Sequence, residues 1–203
     1  TPFGEDMNPM PVDPYGLAKT CVELDHEIAK NHHNLNYSIV RPHNFQGPFV
    51  NWLNIYRNFV GIAIRKALNN ENILVYGDGL QTRAISDVKF LCEPLEKLLY
   101  TDLKVVNIGA DKPYKIIEIA EIIKNIANKD GKNVNIEHRE PRHEVKHAFC
   151  DHKLAKEKLG FKDETDIEKL CYETYNWAKT QPMRKLKWAD YEITKNLYSY
   201  WKR

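Results

Sequence analysis

Tyr15 and Lys19 stand four residues apart in the run Tyr15-Gly16-Leu17-Ala18-Lys19. On a helix that spacing puts both side chains on one face. A phenol ionises near ~10 and is a poor base at neutral pH. An ammonium close by favours the phenolate, and so does a place in the first helical turn, where free N–H groups and the dipole favour an anion. The pair is a tunable acid/base. The YxxxK spacing also arises often by chance, so its weight depends on its surroundings. Arg83 and Arg142 are a second kind of candidate. A guanidinium fork bonds two oxygens at once and suits phosphate, although a surface ion pair uses the same fork. A third is the run of His138, His143, His147, Cys150 and His152. All are metal-ligand types, but their spacing matches no standard zinc pattern, so no metal is expected there.

The elements that position these groups follow from pattern and punctuation. Asp13-Pro14 reads as a helix start, with Asp as N-cap and Pro at the first helical position. Leu17, Ala18, Cys21, Val22, Leu24, Ile28 and Ala29 continue it at helical spacing, and it fades at Asn31 to Asn34. Tyr37 to Val40 reads as a short strand ending at Arg41-Pro42, followed by a loop through Gly47-Pro48. A helix is expected from about Asn51 to Leu68, and a strand from Ile73 to Tyr76 closed by Gly77-Asp78-Gly79. Further helices are expected over Phe90 to Tyr100, Ile116 to Ala127, Asp151 to Gly160 and Asp166 to Lys179, with strands at Val105 to Ile108 and Asn133 to Glu137. Strands alternating with helices predict an α/β sheet. The tail from Met183 to Arg203 is basic and aromatic, and is expected to wrap back on the body.

Bulk properties exclude several classes. A formal charge of +2 lacks the basic excess of a dedicated nucleic-acid binder. No apolar run approaches the ~18 residues of a membrane span, and no signal peptide opens the sequence. Cys21, Cys92, Cys150 and Cys171 are widely spaced and form no CxxC pair, which reads as reduced thiols in a cytoplasmic compartment. Thr1 to Pro14 carry four prolines and no initiating methionine, so the sequence reads as beginning mid-protein.

The stretch Pro11-Val12-Asp13-Pro14-Tyr15-Gly16-Leu17-Ala18-Lys19 resembles the catalytic helix of extended short-chain dehydrogenases/reductases. Arg41-Pro42-His43-Asn44-Phe45-Gln46-Gly47-Pro48 resembles their RPHNxYGP segment. Tyr56-Arg57-Asn58, Tyr76-Gly77-Asp78-Gly79-Leu80-Gln81-Thr82-Arg83, Pro141 to His147, Asp151 and Leu159-Gly160-Phe161 follow in family order. Together they look like the UDP-glucose 4-epimerase-like branch of the nucleotide-sugar epimerase/dehydratase family. The resemblance implies the C-terminal part of a Rossmann-type doubly wound sheet plus a small α/β substrate-binding domain. Residues 1–50 would be a remnant of the NAD-binding domain, 51–182 the substrate domain and 183–203 the tail.

The resemblance also implies roles. Tyr15 is similar to the base that takes a proton from the sugar hydroxyl, and Lys19 to its partner, which also bonds the nicotinamide ribose. Pro42 and His43 occupy the loop passing the nicotinamide. Asn44 resembles a contact to the substrate diphosphate, and Asn58 begins the segment facing the nucleotide. Gln81 joins the substrate-binding set, and Arg83 and Arg142 resemble phosphate-holding arginines. The implied cofactor is NAD, the substrate a UDP-sugar and the assembly a homodimer. The implied reaction is epimerisation through transient oxidation at C4. A 4,6-dehydratase or decarboxylase is the alternative within the family, and a non-catalytic nucleotide-sugar binding or dimerisation module the alternative outside catalysis.

There are departures. Gln46 stands where the segment usually has tyrosine, and Asp87-Val88-Lys89-Phe90 does not reproduce the usual paired aspartates in register. No GxxGxxG loop after a strand occurs in these 203 residues. The resemblance places the family's catalytic Ser or Thr, and the acidic pair of its dehydratases, upstream of Thr1. The chain alone is therefore expected to be catalytically inert.

Overall fold

The structure, a computed structural model, describes residues 2–55, 57–142, 144–183 and 195. The chain begins with helix α1 (Pro14–His33), capped by Asp13, whose Oδ1 accepts from the Gly16 N–H at 2.7 Å. Its C-cap, Asn34, adopts a left-handed conformation and donates back to the Lys30 carbonyl. The expected start and end are both observed. The apolar residues at helical spacing are a different matter: Leu17, Val22, Leu24 and Ile28 are all exposed. Polar clamps hold α1 instead. Arg41 grips Glu23 in a two-pronged pair, Nε to Oε1 at 2.8 Å and Nη2 to Oε2 at 2.6 Å. The Tyr37 hydroxyl donates to Glu27 at 2.6 Å. Tyr15, Lys19, Glu23 and Glu27 fall at successive i+4 steps, so the ridge that carries the dyad also carries the glutamates that fix the helix.

Strand β1 (Ile39–Pro42) pairs in parallel with β6 (Val105–Ile108), in register from Ile39 with Val105 to Pro42 with Ile108. The strand starts two residues later than the sequence pattern implied, because Tyr37 and Ser38 spend their side chains on Glu27 and the Leu103 carbonyl. The two-residue strands β2 (Phe45–Gln46) and β5 (Ser86–Asp87) pair in parallel. Beyond them, β3 (Ile73–Tyr76) pairs in parallel with β8 (Ile136–Arg139). β4 (Thr82–Ala84) lies between antiparallel β7 (Pro113–Lys115) and parallel β9 (His147–Ala148). β8 begins later than expected, since the Asn128 side chain engages both the N–H and the carbonyl of Val134.

Five helices complete the fold: α2 (Phe59–Leu68), α3 (Cys92–Leu98), α4 (Ile116–Lys129), α5 (Lys153–Leu159) and α6 (Ile167–Lys179). The helix expected from Asn51 starts only at Phe59. Among residues 51–55, 57 and 58 none is helical, Trp52 and Leu53 form a turn, and Asn58 enters the helix at a φ of 61° with no side-chain cap. The helix expected from Phe90 is split into a 3-10 turn at Val88–Phe90 and α3, whose first turn accommodates Pro94. Asp151 acts as the expected cap one residue early: its Oδ1 accepts from the Lys153 N–H at 2.9 Å, with His152 between. Asp166 caps α6 with bonds from the Glu168 and Lys169 N–H groups.

Packing follows the periodicities. Ile64 and Ala67 of α2, Ile119 and Ile123 of α4, Leu170 and Tyr175 of α6, and Ile73 and Val75 of β3 form the main core. Fully burying an isoleucine is worth roughly 1.5–3 kcal/mol. Along β3 the alternation is clean: Ile73 and Val75 are buried, while Leu74 and Tyr76 are only half-buried on the opposite face. Gly79 closes the turn at a φ of 74°, where a Cβ would come within 2.8 Å of Val75 Cγ1 and 2.9 Å of Ile117 Cβ. A second cluster joins Val106, Ile108, Leu98, Ala155, Leu159 and Phe161, with Val40 and Phe45 packed against it. Among the described residues no helix is long and apolar enough to cross a membrane. The tail expected to wrap back lies outside the described residues, apart from Met183 and Lys195.

Candidate active site

Tyr15 is the second residue of α1 and is 56% exposed. Lys19 Nζ sits 5.5 Å from the centre of its ring, so the dyad expected from spacing forms in space. On the same ring lies a cation that spacing did not indicate: the Arg57 guanidinium carbon is 4.6 Å from the ring centre. Arg57 comes from the irregular segment 51–58, and that segment leads into a cavity of about 460 Å3. The volume lies in the range of small-molecule sites.

Four of the five residues expected to bind substrate line that cavity: Asn44, Asn58, Arg83 and Arg142. Gln81 does not. It lies just behind, where its Nε2 donates to the Tyr76 carbonyl and to Glu144 Oε1, each at 3.1 Å. Asn44, at a φ of 48°, donates to the Ala84 carbonyl at 3.2 Å and so anchors the loop after β1 to β4. Arg83 pairs with Glu144, Nη2 to Oε2 at 2.8 Å, and its Nη1 also donates to the Thr82 carbonyl. The Arg142 guanidinium carbon lies over Tyr76, 3.2 Å from its ring centre. Both forks are therefore oriented by protein groups before any ligand arrives. Gln46, at the position of the family's tyrosine, is buried in the same cavity wall, and its Oε1 has no hydrogen-bond partner among the described residues.

Sequence reasoning passed over Arg57, Arg65, Lys66 and Glu144 as site residues. Tyr56-Arg57-Asn58 and Glu144 sat inside recognised motifs, which was the available signal. Arg65 and Lys66 carried none, since two cations in an apolar helix read as its solvated face.

Pro42 is exposed at the end of β1, while the His43 imidazole is half-buried. Gly109 makes room for it: a Cβ there would stand 2.8 Å from His43 Cβ and 3.2 Å from Cys150 Sγ. Burial lowers the His43 pKa, and nearby His152 lowers it further. His152 Nε2 is 2.5 Å from Asp111 Oδ1, which also accepts from Lys156 at 2.6 Å. Burial alone would raise the Asp111 pKa, but the bonds from Lys156 and His152 outweigh it and hold the carboxyl low. Cys150 stands 3.8 Å from His152 Nδ1, yet burial pushes its thiol up to about 12, which makes it a poor nucleophile.

The histidines of the metal-like run are engaged separately. His138 bonds the Gly77 carbonyl, His147 the Thr82 hydroxyl and His152 Asp111. His143 lies outside the described residues. Among the described residues no group of three or more His, Cys, Asp or Glu is placed to hold a metal ion.

A parallel α/β framework, a Tyr–Lys pair in the first turn of a helix, and a neighbouring cavity lined by two arginines have the form of a short-chain dehydrogenase/reductase. Comparison makes this specific. Residues 1–109 match the model of the NAD dependent epimerase/dehydratase family, and the chain belongs to that family. It is 32% identical over 177 residues to the GDP-mannose 3,5-epimerase of Arabidopsis thaliana, covering 84% of this chain and 45% of that protein. It is 30% identical over 178 residues to a putative UDP-glucose 4-epimerase of Methanocaldococcus jannaschii, covering 88% and 57%. Among solved structures, the UDP-glucose 4-epimerase of Thermotoga maritima with UDP-glucose superposes with a TM-score of 0.75 at 26% identity, over 88% of this chain and 57% of that one. The UDP-N-acetylglucosamine 4-epimerase of Methanobrevibacter ruminantium M1 gives a TM-score of 0.77 at 27% identity, over 87% and 57%. The chain thus spans about half the length of these relatives.

Proposed function

We propose that this chain carries the catalytic helix and the substrate pocket of an NAD-dependent enzyme that epimerises a nucleotide sugar by transient oxidation at C4. One observation carries the reading. Arg57 stacks on Tyr15 while the next residue, Asn58, lines the cavity, so the proton-handling dyad adjoins a pocket furnished for a diphosphate. In this reading residues 1–50 belong with the NAD-binding part and residues 51–182 form the substrate-binding part.

The roles follow from chemistry. The Tyr15 oxygen accepts the proton of the sugar hydroxyl as that carbon is oxidised, and returns it when the carbon is reduced. Lys19 orients the phenol and bonds the ribose of the nicotinamide nucleotide. The donor set fits that end of NAD: the Tyr15 ring and the Lys19 chain are exposed, share one helix face, and offer a hydroxyl and an ammonium to a ribose diol. NAD, when bound, supplies the hydride acceptor and donor. Asn44, Arg83 and Arg142 hold the substrate diphosphate and so position the sugar at Tyr15. The relatives bear names with both uridine and guanosine diphosphate sugars, so names alone do not choose the base.

The test is Tyr15→Phe in an active form of the enzyme, with product analysis on UDP- and GDP-sugars. Turnover should fall to background while NAD remains bound, because only the proton carrier is deleted. Residual activity above a tenth would sink the assignment, and a dehydrated keto-sugar as the wild-type product would replace epimerisation by dehydration.

A further inference from the structure

The cavity has a direction, set by α2. Asn58, Phe59, Ile62, Arg65 and Lys66 line it. The spacing i, i+1, i+4, i+7, i+8 is one face of a helix. At 1.5 Å per residue, Arg65 lies roughly 10 Å along the axis from Asn58. The Asn58 end adjoins Arg57 and Tyr15, where the sugar reacts. The Arg65 end is where the far part of a nucleotide sugar, its base, must lie.

Arg65 differs from Arg83 and Lys66, two other cations of the cavity. Arg83 has Glu144, and Lys66 has Glu71 at 2.9 Å. Arg65 is half-buried and donates from Nη1 to the Leu53 carbonyl at 3.2 Å, with no carboxylate in ion-pair contact among the described residues. Burial lowers its pKa, against the opposing pull of Glu71, which lies beyond ion-pair distance. A desolvated guanidinium is stabilised by acceptors, and it presents them with two adjacent N–H groups in a plane. Ile62, Leu74 and Ile116 give the cavity that Arg65 lines an apolar share of its wall. Such a slot suits a flat ring whose edge carries acceptors.

We propose that Arg65 reads a guanine base, and that the ligand of this cavity is a guanosine diphosphate sugar. Guanine places two acceptors, O6 and N7, side by side, the pattern that an arginine fork bonds twice. Adenine sets a donor beside N7, and uracil flanks O4 with the N3–H donor, so neither offers the fork two neighbouring acceptors. The inference rests on the nucleotide-sugar reading and selects within it, against the uridine nucleotide that the family resemblance implies.

Calorimetric titration of the 203-residue chain with GDP, UDP, ADP and pyrophosphate tests it. GDP should bind at least tenfold more tightly than UDP or ADP. Arg65→Gln should erase that preference and leave pyrophosphate affinity within about twofold. Arg65→Lys keeps the charge and loses the fork, so it should erase the preference as well; it also serves as the test if Arg65→Gln fails to fold. Equal affinity for GDP and UDP in the wild type overturns the inference alone. So does an Arg65 variant that weakens pyrophosphate as much as GDP, because the fork would then hold a phosphate. Binding of no nucleoside diphosphate at all overturns the nucleotide-sugar reading and this inference with it.

Discussion

Glu23 and Arg41 meet through two parallel hydrogen bonds of 2.8 and 2.6 Å, and this pair ties the helix bearing Tyr15 to the strand leading to Asn44. Both side chains are about three-quarters buried, at 22% and 24% exposure. Bonds between charged groups in such a setting are worth roughly 1.5–3 kcal/mol. The pairing with Glu23 raises the Arg41 pKa despite its burial. Glu23→Ala should therefore lower the unfolding free energy by about 1–3 kcal/mol, read from the urea midpoint at constant slope. Since apolar residues of α1 remain exposed, this helix depends on the pair more than a well-buried helix would. A midpoint unchanged within error would show that the clamp is ornamental.

Arg83 and Arg142 share the cavity but are prepared differently, one by Glu144 and one by the Tyr76 ring. Replacing either by Ala should weaken nucleoside diphosphate binding roughly ten- to a hundredfold, the equivalent of one charge-assisted contact. Arg142→Lys should behave nearly like Ala, because a lysine over Tyr76 has no fork to present. Arg83→Lys should keep more, since an ammonium can still pair with Glu144. Calorimetry on the four variants decides the ranking. Unchanged affinity in both Ala variants would remove these arginines from the site.

The pH dependence of stability should carry the mark of His43. Burial, with His152 beside it, lowers its pKa from the ordinary value of 6.5. A base whose folded pKa is depressed is bound as the neutral form, and the unfolded chain takes up the proton first. Its contribution is complete above about pH 6.5 and is lost as pH falls from there through the folded value. Urea midpoints should decline from pH 7 to pH 5, and His43→Gln should flatten that decline. Asp111 acts in a lower window. Its carboxyl is held below 3.8, so its contribution is present above that value and disappears only in stronger acid. An equally steep decline in His43→Gln would assign the titration elsewhere.

The sequence was most legible where a local rule had no competitor. The Asp13 cap, the stop by Asn34, and the α4 stripe of Ile116, Ile119 and Ile123 are local effects, and all appear in the fold. It was least legible where tertiary contacts overrode pattern. A helix is expected from Asn51, yet Trp52 is buried in the core in a turn and Asn58 takes a positive φ, so the helix waits until Phe59. Of the cavity, the motif-borne arginines and asparagines were readable. Arg57 and Arg65 were not, because their significance is the object each meets: the Tyr15 ring and the Leu53 carbonyl. Only the packing of 51–58 against α1 and α2 produces those relations.

Two glycines separate backbone conformation from close approach. Gly160 ends α5 at a φ of 64°, and the nearest atom to a Cβ there is the flexible end of Lys97, at 3.3 Å. Gly160→Ala should cost about 1–2 kcal/mol, the penalty for a side chain in the left-handed region. It should leave ligand affinity alone. At Gly109 no special φ is involved; space is the constraint. An added Cβ would meet His43 Cβ at 2.8 Å, and that atom cannot swing away, because the His43 N–H is bonded to the Ile108 carbonyl at 2.8 Å. The loop itself must move, and Asn44 moves with it. Gly109→Ala should therefore destabilise by about 1–3 kcal/mol, the usual cost of overpacking. It should also weaken nucleoside diphosphate binding severalfold, although residue 109 lines no part of the cavity. Urea midpoints and titrations on the two variants make the comparison. If both lose stability and neither loses affinity, the loop from Pro42 to Asn44 does not position the diphosphate contact, and Asn44 must be dropped from the site.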